Sequence, residues 1–253
     1  MTAPRLAEAV ADRLRAQIFA GDFAEGALLP KQDDLIQQFN VGLVTVREAL
    51  RILEIEGLIT VKRGKLGGAV VHRPEHRRMA YMMALSLQSQ QVNLADLLTT
   101  IRQLEPLSAA ACAQRADRET AVLPRLRAIV EEQHRCIDDA DQFIGLAARF
   151  HVEMAAVCGI ATMGLVLTAL EQIWSAQMDK LVRRAARHGI FGERAVRERA
   201  LQEHDRLLAL IAAGDAGGAE RAAREHVSET HHRPMPWAVD LDLEIGIDAA
   251  LLR

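Results

Sequence analysis

Three of the nine histidines stand where they could work together. His151, His204 and His226 each fall on a different predicted helix, beside apolar neighbours: Phe150 and Met154, Leu207 and Leu208, and Val227. Imidazoles supplied by facing helices build metal or ligand sites in the core of a bundle. The plain alternative is three unrelated half-buried histidines, each with its own hydrogen bond. Arg102 offers a second chemistry, because a buried guanidinium presents a planar fork to a carboxylate. An ion pair with Glu105 on the same helix is the competing arrangement. A third group lies near the N-terminus. Arg47 and Arg51 are one helical turn apart and point the same way. Arg63 and Lys65 flank Gly64, in a stretch from Leu58 to Arg73 with four basic residues and no acidic one. Such a patch attracts a phosphate backbone. Pairing of the two helical arginines with Glu48, Glu54 or Glu56 is the alternative there.

The elements that must position these groups follow from periodicity. Leu6, Val10, Leu14 and Ile18 recur at four-residue steps and predict a helix over 5–20. Glycines and a proline in "GDFAEGALLP" end it. A second helix is expected over 32–39, a sharp turn at "NVG" (40–42), and a third helix over 44–55. That helix carries Val46, Leu50, Leu53 and Ile55 and stops at Gly57. "LITV" and "GAVV" then read as two short strands around "KRGKLG". Helix, turn, helix and basic hairpin make a winged helix-turn-helix, whose second helix enters the major groove while the wing grips beside it. Glycine at the wing tip lets the backbone approach the narrow groove.

Beyond the linker "VHRPEHRR" (71–78) the pattern is helical throughout. Helices are expected over 77–90, 93–115, 119–138, 140–158, 160–187, 193–213 and 215–232, with Asp215 capping the last. The fold class is therefore mainly α: a winged helix-turn-helix with a small hairpin, then an all-α bundle. The domains read as 1–73, 74–232 and a loosely packed tail, 233–253.

Composition agrees. The 253 residues are 50% hydrophobic and 26% charged but only 4% aromatic, which suits helices. No run of eighteen uncharged apolar residues occurs, and "MTAPRLAEAVADRLR" lacks the apolar core of a signal peptide. Cys112, Cys136 and Cys158 are odd in number and widely spaced, as expected of reduced thiols in a cytoplasmic protein. Residues 1–78 carry a net charge of +2 and the remainder −5.

The stretch "PKQDDLIQQFNVGLVTVREALRILEIEGLITVKRGKLGGAVV" resembles the N-terminal domain of GntR-family transcriptional regulators, and "TVREALRILEIEGLI" is its most specific part. Three later stretches resemble the helical FCD effector domain of the FadR subfamily: "TIRQLEPLSAAACAQRA" (100–116), "ARFHVEMAAVCG" (148–159) and "QEHDRLLALIAAGDAGGAERAAREH" (202–226). The resemblance spans about residues 5–232.

It implies a ligand-responsive, DNA-binding regulator of transcription, a repressor released from its operator by a small carboxylate or acyl effector. Thr45, Arg47, Arg51, Arg63, Gly64 and Lys65 are the expected DNA contacts. Arg102, His151, His204 and His226 are the expected effector site, and the three histidines the expected ligands of a divalent metal such as zinc. Two departures stand out. Gln32-Asp33 and Gly42-Leu43 replace the family's frequent Glu-Arg and Ser-Arg, so basic DNA contacts are lost. Ala147 stands where the family has a metal-binding Asp or Asn, one turn before the first histidine.

One winged domain makes too few contacts for tight binding, so a homodimer on a pseudo-palindromic double-stranded operator is expected, with no membrane partner. The alternative reading is a metal-dependent hydrolase using the three histidines. Against it, the chain has no HExxH, GxSxG or P-loop, so no enzyme is expected.

Overall fold

Val10, Leu14 and Ile18 lie on one face of α1 (Ala3–Ala20) and are buried. They pack against α2 (Gln32–Phe39) through Leu35 and against α3 (Leu43–Glu56) through Val46, Ala49, Leu50 and Leu53. Between α2 and α3 the chain turns at Asn40, which takes the left-handed conformation (φ 50°). Gly42 is extended (φ −77°) and serves as a side-chain-free N-cap. Gly57 ends α3 at φ 78°, where a Cβ would be strained, and its N–H reaches the carbonyls of Leu53 and Glu54. Ile55, expected on the inner face, is 67% exposed. It lies about 200° around the helix from Leu53, so the 3.6-residue period turns it outward.

The computed structural model describes residues 3–62, 64, 67–73, 76–187, 194–232 and 241–246. The chain divides into two compact units, Met1–Glu75 and His76–Arg253. In the first, β1 (Ile59–Lys62) pairs antiparallel with β2 (Gly68–Val71), Ile59 opposite Val71 and Lys62 opposite Gly68. The other edge of β2 is also covered. Leu29 N–H donates to the Ala69 carbonyl and Val71 N–H to the Ala27 carbonyl, both at 2.8 Å. The wing is thus held along both edges of its returning strand, with Gly64 at its tip at φ 115°.

The second unit is helical. It runs through α4 (His76–Ser89), α5 (Leu94–Gln114), α6 (Arg118–Ala121), α7 (Leu123–Arg135), α8 (Ala140–Val157), α9 (Ala161–Arg187), α10 (Arg194–Ala213) and α11 (Ala216–His232). The single helix expected over 119–138 is two, broken at Val122. Pro124 sits in the first turn of α7, where its missing N–H costs nothing. Asn93, Asp139 and Asp215 accept first-turn amides at the starts of α5, α8 and α11. α5 runs through two apolar clusters: its N-terminal half packs with α4 and α9, its C-terminal half with α7, α8, α10 and α11.

Within the tail expected to be loosely packed, residues 241–246 are held in place, while 233–240 and 247–253 lie outside the described residues. Leu94 and Ala95 donate their N–H groups to the carbonyls of Leu243 and Leu241, Ile245 N–H donates to the Val92 carbonyl, and the Ile245 side chain is fully buried. Residues 241–246 therefore strap the first turn of α5 and supply acceptors for amides that no helix satisfies by itself. No described helix is long and apolar enough to cross a membrane.

Candidate functional site

α8, α10 and α11 bring His151, His204 and His226 together. Their ring centroids lie 5.0–5.2 Å apart, and one ligand atom from each falls within 4.8 Å of the others. His204 and His226 are buried and His151 is half-buried. The common centre anticipated for them is present.

The orientation of each ring is fixed from behind. His151 Nδ1 donates to Glu105 Oε1 at 2.7 Å, His204 Nδ1 to Gln133 Oε1 at 3.0 Å, and His226 Nδ1 to Glu203 Oε2 at 2.5 Å. With Nδ1 carrying the proton, Nε2 keeps its lone pair for a metal. His226 Nε2 lies 3.3 Å from His151 Nε2. Two lone pairs at that distance repel unless a proton or a metal ion lies between them. The separation matches the spacing of about 3.4 Å between two imidazole nitrogens on a tetrahedral zinc. The third nitrogen, His204 Nε2, is buried with no hydrogen-bond partner. An orphaned buried acceptor of this kind calls for an occupant. The donor set fits a divalent metal.

At His204 and His151 the electrostatics also disfavour a proton. Burial, and then the neighbouring His226 and His151, hold His204 well below the ordinary histidine value. Burial lowers His151 too, against an opposing pull from Glu171. Neutral imidazoles are the form that ligates. Glu105 is buried and pushed up to about 7 by that burial, with His226 and a hydrogen bond to Glu171 opposing the rise. Burial and Glu105 together raise Glu171 on α9 well above the usual carboxylate value. The two carboxyls are therefore poised to share a proton rather than to ionise together.

Among the described residues no carboxylate joins the three imidazoles in their cluster. Ala147, one turn before His151 on α8, packs against the apolar core instead. Glu105 is spent on the back of His151. Arg102 lies one turn before Glu105 on α5, but its Nε and Nη2 are buried without a hydrogen-bond partner. Glu105 turns to His151 instead of forming the intrahelical pair. Phe150, flat against His204 with centroids 4.3 Å apart and rings 21° from parallel, completes the pocket wall.

Gln133 and Glu171 belong to this centre and were not singled out from sequence. Each is a polar residue at a buried helical step, Gln133 beside Ile129 and Val130 and Glu171 beside Leu167 and Leu170. That misplaced polarity was the available signal.

In the first unit the anticipated DNA contacts that are described lie at the surface. Arg47 and Arg51 are exposed, Thr45 is half-buried, and Gly64 is exposed at the wing tip. Arg47 Nε donates to Gln32 Oε1 at 3.4 Å, and Arg51 lies 3.9 Å from Glu48 in an exposed pair of the kind that contributes little. Arg63 and Lys65 lie outside the described residues.

An exposed reading helix with a wing, on a chain that also carries a buried polar centre, defines a DNA-binding regulator that answers to a ligand. The comparisons with known proteins agree. Residues 6–70 match "Bacterial regulatory proteins, gntR family" and residues 96–229 match the FCD domain. The chain belongs to the GntR family of transcription regulators, among the members with an FCD domain. It is 30% identical to the HTH-type transcriptional repressor NanR of Salmonella bongori, over 80% of this chain and 71% of that one. It is 26% identical to the HTH-type transcriptional regulator LutR of Bacillus subtilis, over 82% and 91%. A solved Streptococcus agalactiae GntR shares the fold with a TM-score of 0.68 at 22% identity, covering 88% of this chain and 98% of that one. These relatives are regulators, so the hydrolase alternative falls away and the protein is not an enzyme.

Proposed function

We propose that this regulator is a cytoplasmic repressor that binds a pseudo-palindromic operator as a homodimer and leaves it when a small carboxylate enters the helical unit. The orphaned Nε2 of His204, facing two further Nε2 atoms, carries the reading. His151, His204 and His226 would hold a divalent metal such as zinc, which supplies a Lewis-acidic position for an oxygen ligand. Ala147 contributes no ligand, so a position is left for the effector. Arg102 supplies the second half of the recognition, since its unpartnered nitrogens can donate to the same carboxylate. Phe150 and the apolar residues behind it exclude water. Glu105, Gln133 and Glu203 keep the three rings in the ligating tautomer.

On the DNA side, Thr45, Arg47, Arg51 and the wing around Gly64 meet the duplex, with Arg63 and Lys65 extending the basic edge. Repression agrees with the printed name of the NanR relative. By linkage, an effector that loosens DNA must itself bind more weakly to the DNA-bound form.

The test is zinc titration into chelator-stripped protein followed by calorimetry. Zinc should bind the native chain, and His204→Ala should weaken it on the order of 100-fold. Ala147→Asp, which restores a carboxylate one turn before His151, should tighten it on the order of tenfold. Equal affinities in all three proteins would refute the site.

A further inference from the structure

The reading helix begins with two adjacent apolar side chains in water. Val44 is 80% exposed and Leu43 39% exposed, at the first two positions of α3. Isolated exposed apolar residues are ordinary. Leu43 lies at the edge of the buried face, two turns before Leu50, whereas Val44, three residues before Arg47, lies on the side of the helix that the winged unit's core does not cover. Val46, Ala49, Leu50 and Leu53 take the opposite, buried side.

The rest of the first turn narrows what such a surface can recognise. Gly42, the N-cap, has no side chain, and Thr45 is half-buried. No Arg, Lys, Asn, Gln, Asp or Glu stands between Gly42 and Arg47. The N-terminal residues of a recognition helix are the ones that reach base edges. Hydrogen-bond readout at that end of α3 is therefore confined to Thr45 and Arg47. In the major groove the one apolar group that base pairs present is the C5-methyl of thymine. An apolar side chain presented to the groove is more complementary to that methyl than to the hydrogen-bonding groups on the base edges.

We infer that Val44, with Leu43 beside it, reads thymine in each half-site through its C5-methyl group. This rests on the assignment of α3 as the groove-facing helix and adds the base it selects. A valine is well suited to the role. Its β-branched side chain has one strongly preferred rotamer in a helix, so little freedom is lost on contact.

The experiment uses the full-length protein and duplexes enriched by it from a random pool. In the enriched sequence each thymine is replaced, one at a time, by deoxyuridine, which keeps base pairing and removes only the methyl. Native protein should lose roughly fourfold in affinity at one or two thymines per half-site, as expected for one buried methyl. Val44→Ala or Leu43→Ala should bind the thymine and uracil duplexes equally at those positions. Alanine is a strong helix former at an exposed site, and an unchanged circular dichroism spectrum checks that α3 persists. If uracil is tolerated at every position, or both variants still discriminate, the inference is overturned while DNA binding stands. If no duplex is enriched, the DNA-binding reading fails and this inference with it.

Discussion

In the winged unit the residues proposed to meet DNA rest on a core they do not join, whereas in the helical unit the residues proposed to meet a ligand are part of the core. Arg47, Arg51 and Val44 project into solvent from a helix whose other side is sealed by Val46, Leu50 and Leu53. His204 and His226 are as buried as the leucines around them. The difference sets how freely each site can change. An exposed contact can be exchanged without disturbing the fold, and Gln32-Asp33 and Gly42-Leu43 stand where the family resemblance leads to an expectation of Glu-Arg and Ser-Arg. A buried polar centre needs a partner for every nitrogen and oxygen. At Ala147, where the resemblance leads to an expectation of a carboxylate, an apolar contact with the core stands in its place.

The largest effect should come from Phe150, which is fully buried and stacked on His204. Phe150→Ala should cost about 3–5 kcal/mol of unfolding free energy by denaturant titration. It should also weaken zinc binding, because the His204 ring loses the face it rests on. Loss of stability with zinc affinity intact would break the contrast, since site and core would then be separable.

Arg47→Ala probes the opposite case. DNA affinity should fall by about 1–3 kcal/mol, with a shallower salt dependence and an unchanged melting temperature. A shifted melting temperature would mean that this exposed contact also supports the fold.

A smaller effect isolates the buried centre. Glu105, raised to about 7, holds its proton more tightly folded than unfolded. Its contribution to stability is full below the unfolded carboxylate range and is lost as pH rises through 7. His204 and His151 are lowered, so their contributions are present above the unfolded histidine value and are lost as pH falls below it. Between pH 7 and 5 the two trends oppose. Glu105→Gln removes one of them, and the metal-free variant should lose more stability than native protein on acidification across that window. Equal losses would show that Glu105 does not titrate as its burial requires.

Sequence exposed the parts of this design that repeat or that are chemically rare. Four-residue apolar steps gave the helices, and three histidines beside apolar residues gave the centre. What stayed hidden was pairing between distant positions. Gln133 meets His204 from 71 residues away, and nothing local to either residue signals the contact. Glu105 has two plausible partners by spacing and chemistry, Arg102 and a histidine, and only packing decides for His151. The strap at 241–246 was invisible for another reason. It acts largely through backbone groups and one buried side chain, Ile245, too short a pattern to register in the sequence.

That strap also sets an order in time. The winged unit is a compact unit of the first 75 residues, so its core can form while the rest of the chain is still being made. The amides of Leu94 and Ala95 instead wait for carbonyls about 150 residues downstream. At ordinary elongation rates that delay is on the order of ten seconds. During that interval a nascent chain would carry a finished DNA-binding head ahead of a helical unit whose α5 has its Asn93 cap but still lacks the acceptors for the Leu94 and Ala95 amides.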